Sequence, residues 1–168
     1  MAERESTEER RLLVVDDEPG FVHMLRTGLE KAGYAVITAQ NGEAALAQVR
    51  DADPDLVILD IAMPGMTGWE VLERIEADPA TAGVPVVLLT ALSAEADVIR
   101  GLESGAIDYI TKPFDLHHLL SVVRMILDKL DHRGQESYRQ QRIAQRKHLM
   151  RSLQELFPDS GADAEDIE

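Results

Sequence analysis

Near its amino end the chain reads LLVVDD over residues 12–17, an apolar run that ends in two adjacent carboxylates. Related runs recur at residues 56–60, LVILD, and at residues 84–90, VPVVLLT, and each of them ends in a polar side chain. Nearly continuous apolar runs of this length are typical of strands that are buried on both faces of a parallel sheet. The three segments therefore predict the central strands of an α/β fold.

Longer amphipathic segments separate these runs, so that predicted strands and helices alternate along the chain. The predicted strands cover residues 12–15, 35–39, 56–59, 84–90 and 108–110. The predicted helices cover residues 19–32, 41–50, 68–77, 94–104 and 116–130. Because parallel strands are joined by right-handed crossovers, five such pairs predict a doubly wound five-stranded parallel sheet. A binding site in such a sheet is expected at the carboxyl ends of the strands.

The composition of the 168-residue chain excludes several classes of function. It contains no cysteine, which excludes disulfides, thiolate metal ligands and cysteine nucleophiles. Its formal net charge of -14 repels polynucleotides over most of the surface, so nucleic acid is not an expected partner. Residues 1–11 lack the apolar stretch of a secretory signal, and no segment approaches the run of about 20 apolar residues that spans a bilayer. We therefore expect a cytoplasmic protein without a membrane segment.

Polar residues stand at the edge where the carboxyl ends of the predicted strands meet. They are Asp16 and Asp17 after the first strand, Asp60 after the third, Thr90 at the end of the fourth and Lys112 shortly after the fifth. Each of these residues alone is commonly a helix cap, a turn residue or a solvated surface charge. Their occurrence together on one rim of the sheet instead predicts a functional crevice.

The three carboxylates on this rim repel one another unless a cation neutralises them. Mg²⁺ suits such a site, because it binds one or two carboxylates while waters and a phosphate oxygen complete its octahedral coordination. With such an ion in place, one carboxylate can attack phosphorus while a lysine screens the charge on the transferring group. The rim therefore predicts Mg²⁺-dependent phosphoryl chemistry.

Four motifs make the chain resemble the receiver domain of bacterial two-component response regulators over residues 11–130. The motifs are LLVVDDE at residues 12–18, DIAMPGMTG at residues 60–68, LLTA at residues 88–91 and GAIDYITKPF at residues 105–114. The resemblance implies a flavodoxin-like form of the doubly wound sheet, with the strand order 2-1-3-4-5. It also implies a function in two-component signalling.

By this resemblance, Asp60 is the residue that becomes phosphorylated. The implied ligands of Mg²⁺ are Asp16, Asp17, Asp60 and the backbone carbonyl of Ala62. The implied phosphodonor is a sensor histidine kinase or a histidine phosphotransfer protein. The chain is then not a conventional enzyme, and its expected reactions are Mg²⁺-dependent self-phosphorylation from a phosphodonor and self-dephosphorylation.

The resemblance also assigns supporting and switching roles at the same rim. Thr90 and Lys112 are implied to bind phosphoryl oxygens and to act in catalysis together with Asp60. Thr90 and Tyr109 are implied to form a switch, in which the aromatic ring turns inward as the Thr90 hydroxyl moves toward the phosphate. A phosphoryl group adds a charge of about -1.5 to -2, which is enough to bias a two-state loop. The peptide bond between Lys112 and Pro113 is implied to be cis.

A Mg²⁺-dependent phosphohydrolase with an aspartyl phosphate is the competing enzymatic interpretation. Phosphatases of that kind resemble Asp-x-Asp, with the second Asp as general acid and base, whereas Ala62 occupies that position here. The resemblance implies that the residues two positions beyond Asp60 and Thr90 tune dephosphorylation. These residues are Ala62 and Leu92, and neither side chain can orient a water molecule. We therefore expect slow self-dephosphorylation. A nucleotide-binding module is disfavoured, because no Gly-rich phosphate loop follows the first strand.

The composition changes after residue 130, so we divide the chain into a receiver domain at residues 11–130 and a helical extension at residues 131–168. Basic residues are concentrated at 133–151, and acidic residues are concentrated in the final stretch, whose last ten residues are predicted to be disordered. Leu149, Leu153 and Leu156 give the extension one apolar stripe at helical spacing.

The sequence allows more than one form of output. Two homodimer surfaces are candidates. One is the extension helix, and the other is the face of the fourth and fifth helix–strand units, which are predicted over residues 84–104 and 108–130. Because the extension is shorter than a typical output domain, we expect output through protein–protein interaction rather than through an attached DNA-binding domain. The alternative is an extension that links the receiver to an output element absent from this sequence.

Overall fold

In a computed structural model, which describes residues 10–91, 103, 105–133, 144, 151 and 155, five parallel strands form one sheet. The strands are β1 Arg11–Val15, β2 Ala35–Ala39, β3 Leu56–Asp60, β4 Val86–Thr90 and β5 Asp108–Thr111. Their order is β2-β1-β3-β4-β5, and every neighbouring pair is parallel. The predicted sheet of order 2-1-3-4-5 is therefore confirmed.

Four helices accompany the sheet in the described part of the chain. They are α1 Pro19–Lys31, α2 Gly42–Ala52, α3 Gly68–Ala77 and α4 Leu116–Arg133. The predicted helix over residues 94–104 lies outside the described residues except for residue 103, and so does the extension beyond residue 133 except for residues 144, 151 and 155. None of the described helices combines the length and the apolar character that a bilayer crossing requires.

Local sequence signals explain where the helices begin. Pro19 stands at the start of α1, where its missing N–H costs no intrahelical hydrogen bond. Asn41 caps α2 by accepting the N–H of Ala44 at 2.8 Å, and Thr67 caps α3 by accepting the N–H of Glu70 at 3.4 Å. Because α1 starts soon after β1, the loop between them is short and stays at the carboxyl edge of the sheet.

Apolar side chains alternate between the two faces of the sheet and build two cores. Leu12 and Val14 of β1 pack with residues of α1 and α4, whereas Leu13 and Val15 pack with residues of α2 and α3. All four side chains are fully buried, which agrees with a strand that is covered on both faces. Burial of this kind is the main favourable term in folding, and it holds the strand ends in fixed relative positions.

Several element boundaries differ from the prediction by one to three residues. Asp60 belongs to β3 rather than to the loop that follows it. β4 begins at Val86 rather than at residue 84, because Pro85 has no N–H for the strand ladder and the N–H of Val84 donates to Thr81 in the preceding turn at 3.0 Å. α4 passes the predicted end at residue 130 and continues to Arg133.

Candidate functional site

The carboxyl ends of β1, β3 and β5 bring four charged side chains to one rim of the sheet. Asp16 and Asp17 follow β1, Asp60 is the last residue of β3, and Lys112 follows β5. Carboxylate oxygens of the three aspartates lie within 4.8 Å of one another. The ammonium of Lys112 lies 3.3 Å from Oδ2 of Asp16 and 3.4 Å from Oδ1 of Asp60. Residues far apart in sequence therefore form one compact charged group.

Two of these carboxylates are almost inaccessible to solvent. Asp16 is 1% exposed and Asp60 is 4% exposed, whereas Asp17 is partly exposed. Oδ1 of Asp16 accepts the N–H of Glu18 at 3.0 Å, and Oδ1 of Asp60 accepts the N–H of Ala62 at 3.4 Å. These backbone donors compensate in part for the loss of water around the two buried carboxylates.

Burial raises the pKa of the Asp60 carboxyl above its ordinary value. The negative charge of Asp16 raises this pKa further, while the Lys112 ammonium and the N–H of Ala62 lower it in part. The net upward shift means that the ionised form of Asp60 is destabilised where it stands. A bound cation would therefore stabilise this carboxylate.

Lys112 also contacts an aromatic ring. Its Nζ lies 4.5 Å from the ring centroid of Phe21, and that ring meets the ring of Phe114 edge to face, with a centroid distance of 6.0 Å and an interplanar angle of 78°. Phe21 was not among the predicted site residues. A signal was available, since two of the three phenylalanines in the chain lie close to the charged motifs, one shortly after Asp17 and the other shortly after Lys112.

Thr90 and Tyr109 lie on the two neighbouring strands β4 and β5. Thr90 ends β4 and is 5% exposed, and its carbonyl accepts the N–H of Lys112 at 2.6 Å. Tyr109 pairs in register with Leu88, further from the carboxyl edge, and its half-buried side chain packs against the core of α2 and α3. The peptide bond between Lys112 and Pro113 is cis. Thr90 thus belongs to the rim. Tyr109 lies two residues before Thr111, the residue of β5 that pairs with Thr90.

The loop between β3 and α3 is folded tightly against Asp60. The N–H groups of Met63 and Gly68 both donate to the carbonyl of Ile61, at 3.1 and 3.0 Å. Gly68 packs so closely on the loop that a Cβ atom there would overlap the carbonyl oxygen of Asp60. Ala62 is exposed. The loop therefore holds the backbone of Asp60 and Ala62 beside the carboxylates.

The donor atoms of the rim fit a divalent cation that prefers oxygen. Mg²⁺ binds oxygen at about 2.0–2.1 Å, so that two ligands on opposite sides of the ion are about 4.2 Å apart. The limit of 4.8 Å among the oxygens of Asp16, Asp17 and Asp60 is close to that separation. A set of carboxylate oxygens favours Mg²⁺ over the metals that prefer imidazole or thiolate ligands. The three aspartates can therefore hold a magnesium ion after a small adjustment of their side chains.

A doubly wound sheet with three aspartates that could hold a cation at the carboxyl ends of its strands is a flavodoxin-like architecture. The family model described as "Response regulator receiver domain" matches residues 12–124, which is more than half of the chain. The chain belongs to this family, whose members act in two-component signal transduction.

Two curated relatives and one solved structure show the extent of the similarity. "DNA-binding dual master transcriptional regulator RpaA" of Synechocystis sp. is 41% identical over 121 residues, which cover 72% of this chain and 50% of that protein. "Protein PilH" of Pseudomonas aeruginosa is 38% identical over 117 residues, which cover 70% of this chain and 97% of that protein. The structure of the Vibrio cholerae chemotaxis protein CheY4 matches with a TM-score of 0.67 and 31% identity, over 70% of this chain and 98% of that chain. The chain thus spans half the length of RpaA but nearly all of the other two proteins.

Proposed function

We propose that the chain is a response regulator receiver that accepts a phosphoryl group on Asp60. The donor is the phosphohistidine of a sensor histidine kinase or of a histidine phosphotransfer protein. One observation carries this proposal, namely that the buried Asp60 carboxylate lies 3.4 Å from the Lys112 ammonium, within a group of three carboxylates. Membership of the receiver family supports the same conclusion.

Transfer to Asp60 is a substitution at phosphorus. An oxygen of the Asp60 carboxylate forms a bond to phosphorus while the bond from phosphorus to the donor imidazole breaks, and the electron pair of that bond stays on the imidazole nitrogen. The Lys112 ammonium, which starts 3.4 Å from Oδ1 of Asp60, then binds an oxygen of the transferred group. The hydroxyl of Thr90 binds another of these oxygens.

The three carboxylates beside the acceptor repel an incoming phosphoryl group. A magnesium ion at this site would neutralise this charge and would supply Lewis-acid stabilisation to the phosphoryl group. The residues that would hold the ion are Asp16, Asp17, Asp60 and, through its backbone carbonyl, Ala62. Asp16 has a second effect, because its 3.3 Å ion pair keeps Lys112 close to the acceptor.

Phosphorylation changes the surface around β4 and β5. The new group carries a charge of about -1.5 to -2 and three acceptor oxygens. Movement of the Thr90 hydroxyl toward these oxygens leaves space into which the ring of Tyr109 turns. The face of the fourth and fifth helix–strand units then binds a partner protein or a second copy of the chain.

Output through protein–protein interaction is the first candidate, because the net charge of -14 opposes direct contact with DNA. DNA-linked output is the second candidate, because RpaA is described as DNA-binding and this chain spans half of it. Binding of the phosphorylated chain to double-stranded DNA at low salt would favour the second candidate. A change of oligomeric state on phosphorylation, without DNA binding, would favour the first.

Incubation with acetyl phosphate and Mg²⁺, followed by intact mass measurement, tests the acceptor. The wild type is expected to gain one phosphoryl group and Asp60→Ala none, while Asp17→Asn gains much less because a metal ligand is lost. Asp51→Ala, which removes an exposed carboxylate of α2, is the matched control and should label like the wild type. Equal labelling of the wild type and Asp60→Ala would refute the assignment of the acceptor.

A further inference from the structure

The ammonium of Lys112 is surrounded by three groups of different kinds. Two are carboxylates, with Oδ2 of Asp16 at 3.3 Å and Oδ1 of Asp60 at 3.4 Å. The third is the ring of Phe21, whose centroid lies 4.5 Å from Nζ. A cation at this distance from an aromatic face is attracted by the negative charge density of the ring. Lys112 is therefore held by a contact that is independent of carboxylate charge.

Phe21 is well placed to hold a flexible side chain, because its own ring is fixed. It lies in the first turn of α1, two residues after Pro19. Its edge-to-face contact with Phe114 connects it to the segment between β5 and α4. Both rings pack against the core that α1 and α4 share. The ring pair thus connects α1 to the segment that carries Lys112.

The contact matters because the two carboxylates change during the proposed reaction. Before transfer, a cation held by Asp16 and Asp60 would neutralise much of the charge of both carboxylates. Until the phosphoryl group arrives, a lysine on its four-carbon stem would then be free to adopt other rotamers. We propose that Phe21 is a positioning residue, which keeps the Lys112 ammonium at the acceptor while its carboxylate partners change. This inference rests on the proposed phosphorylation of Asp60.

Removal of the ring should lower the rate of phosphorylation without abolishing it. Phe21→Leu keeps an apolar side chain on the core but loses the cation–π contact, and the second-order rate constant for labelling by acetyl phosphate is expected to fall about two- to five-fold. Phe21→Tyr keeps the ring and is expected to label like the wild type. Tyr34→Leu is the matched control, because Tyr34 packs against the same core without a contact to Lys112.

The pattern among the three variants separates positioning from loss of packing. A rate that falls in Phe21→Leu but stays at the wild-type value in Phe21→Tyr and Tyr34→Leu would support the proposal. Equal rates in Phe21→Leu and the wild type would overturn it. An equal fall in Phe21→Leu and Tyr34→Leu would overturn it too, since a general loss of packing would then explain the effect.

A second readout does not depend on phosphorylation. The ring of Phe21 should shift the proton resonances of the Lys112 ε-methylene group upfield in the nuclear magnetic resonance spectrum of the unphosphorylated chain. The shift should persist in Phe21→Tyr and disappear in Phe21→Leu. Its absence from the wild type would overturn the contact itself. A wild type that shows the shift but takes up no phosphoryl group would instead refute the proposed function.

Discussion

At the scale of single residues, the buried Asp60 carboxyl makes the stability of the protein depend on pH. Burial raises its pKa in the folded chain above its value in the unfolded chain, so the folded chain binds the proton more tightly. The stability that protonation contributes is fully present below the unfolded pKa and is lost as the pH rises through the folded pKa. At neutral pH and without a bound metal, ionised Asp60 therefore lowers the free energy of unfolding.

Asp60→Asn is accordingly expected to raise the free energy of unfolding at pH 7 by about 1 kcal/mol in the absence of divalent cations. The substitution keeps the shape of the side chain and removes a buried charge next to Asp16. Urea unfolding of both proteins in EDTA, at pH 7 and near pH 4, measures the difference. The difference in free energy of unfolding between Asp60→Asn and the wild type should decrease at the lower pH, because wild-type Asp60 becomes protonated there. An Asn variant less stable than the wild type at pH 7 would contradict this expectation.

Ala62 leads to a prediction about the lifetime of the acylphosphate. Its backbone N–H donates to Oδ1 of Asp60 at 3.4 Å, and its exposed methyl group cannot orient a water molecule. Leu92, the other residue of this hypothesis, lies outside the described residues. Ala62→Asn is expected to shorten the lifetime about ten-fold, because a carboxamide can direct a water toward phosphorus.

Loss of radiolabel after removal of the donor measures this lifetime. Ala77→Asn, at the exposed end of α3, is the matched control and should leave the lifetime unchanged. Complete loss of label from the wild type within seconds would contradict the expected slow self-dephosphorylation.

At the scale of elements, the tight loop between β3 and α3 depends on Gly68. A Cβ atom at this position would overlap the carbonyl oxygen of Asp60 and would lie 2.7 Å from Cα of Ile61. Gly68→Ala must therefore move backbone rather than a flexible side chain. We expect it to lower the free energy of unfolding by about 1–3 kcal/mol. We also expect it to weaken Mg²⁺ binding several-fold, because the carboxylate of Asp60 moves with its backbone.

Isothermal titration with Mg²⁺ and urea unfolding measure the two effects of Gly68→Ala separately. The matched control is Gly28→Ala, whose new Cβ atom would have the side chain of Leu116 as its nearest neighbour, between α1 and α4. This control should bind Mg²⁺ like the wild type, whatever its stability. Unchanged Mg²⁺ affinity in Gly68→Ala would show that the loop tolerates the substitution without displacing the ligands.

The bounds of individual elements were predictable where the signals are local. The predicted bounds of α3 agree with the observed helix Gly68–Ala77, because the capping hydroxyl of Thr67 stands directly before it. The predicted start of β4 at residue 84 was wrong. The apolar character of residues 84–90 does not show that Pro85 lacks an N–H for the strand ladder, or that the N–H of Val84 donates to a turn.

At the scale of the whole molecule, the described residues that build the two cores on the faces of the sheet lie between Leu12 and Leu127. A chain that ends after Arg133 is therefore expected to fold cooperatively, with a free energy of unfolding within about 0.5 kcal/mol of the full chain. It is also expected to accept a phosphoryl group at the same rate. Urea unfolding and labelling by acetyl phosphate test both expectations, and a larger loss of stability would show that residues 134–168 contribute to the fold.

Size measurement of the same two chains, with and without phosphorylation, tests the role of the extension in assembly. If the extension is the dimer element, phosphorylation should convert the full chain from monomer to dimer but leave the truncated chain a monomer. If the face of the fourth and fifth helix–strand units is the dimer element, both chains should respond alike. These outcomes separate the two surfaces that the sequence left open.

The order of apolar runs and amphipathic segments was sufficient for the doubly wound sheet, because strands that are apolar throughout must be covered by helices on both faces. It was also sufficient to bring Asp16, Asp17, Asp60 and Lys112 to one rim, because the carboxyl ends of parallel strands meet at one edge in every sheet of this topology. Both results depend on the parallel, doubly wound arrangement, which follows from patterns along the chain. The strand order 2-1-3-4-5 was implied by the resemblance to receiver domains.

Contacts at the level of atoms were decided by the tertiary structure alone. It placed the ring of Phe21 against Lys112, packed Gly68 onto the carbonyl of Asp60, and buried the Asp60 carboxyl deeply enough to raise its pKa. These features depend on distances of a few ångströms between elements that are remote in sequence. Such distances follow from the packing of all side chains at once, so no local pattern of residues encodes them.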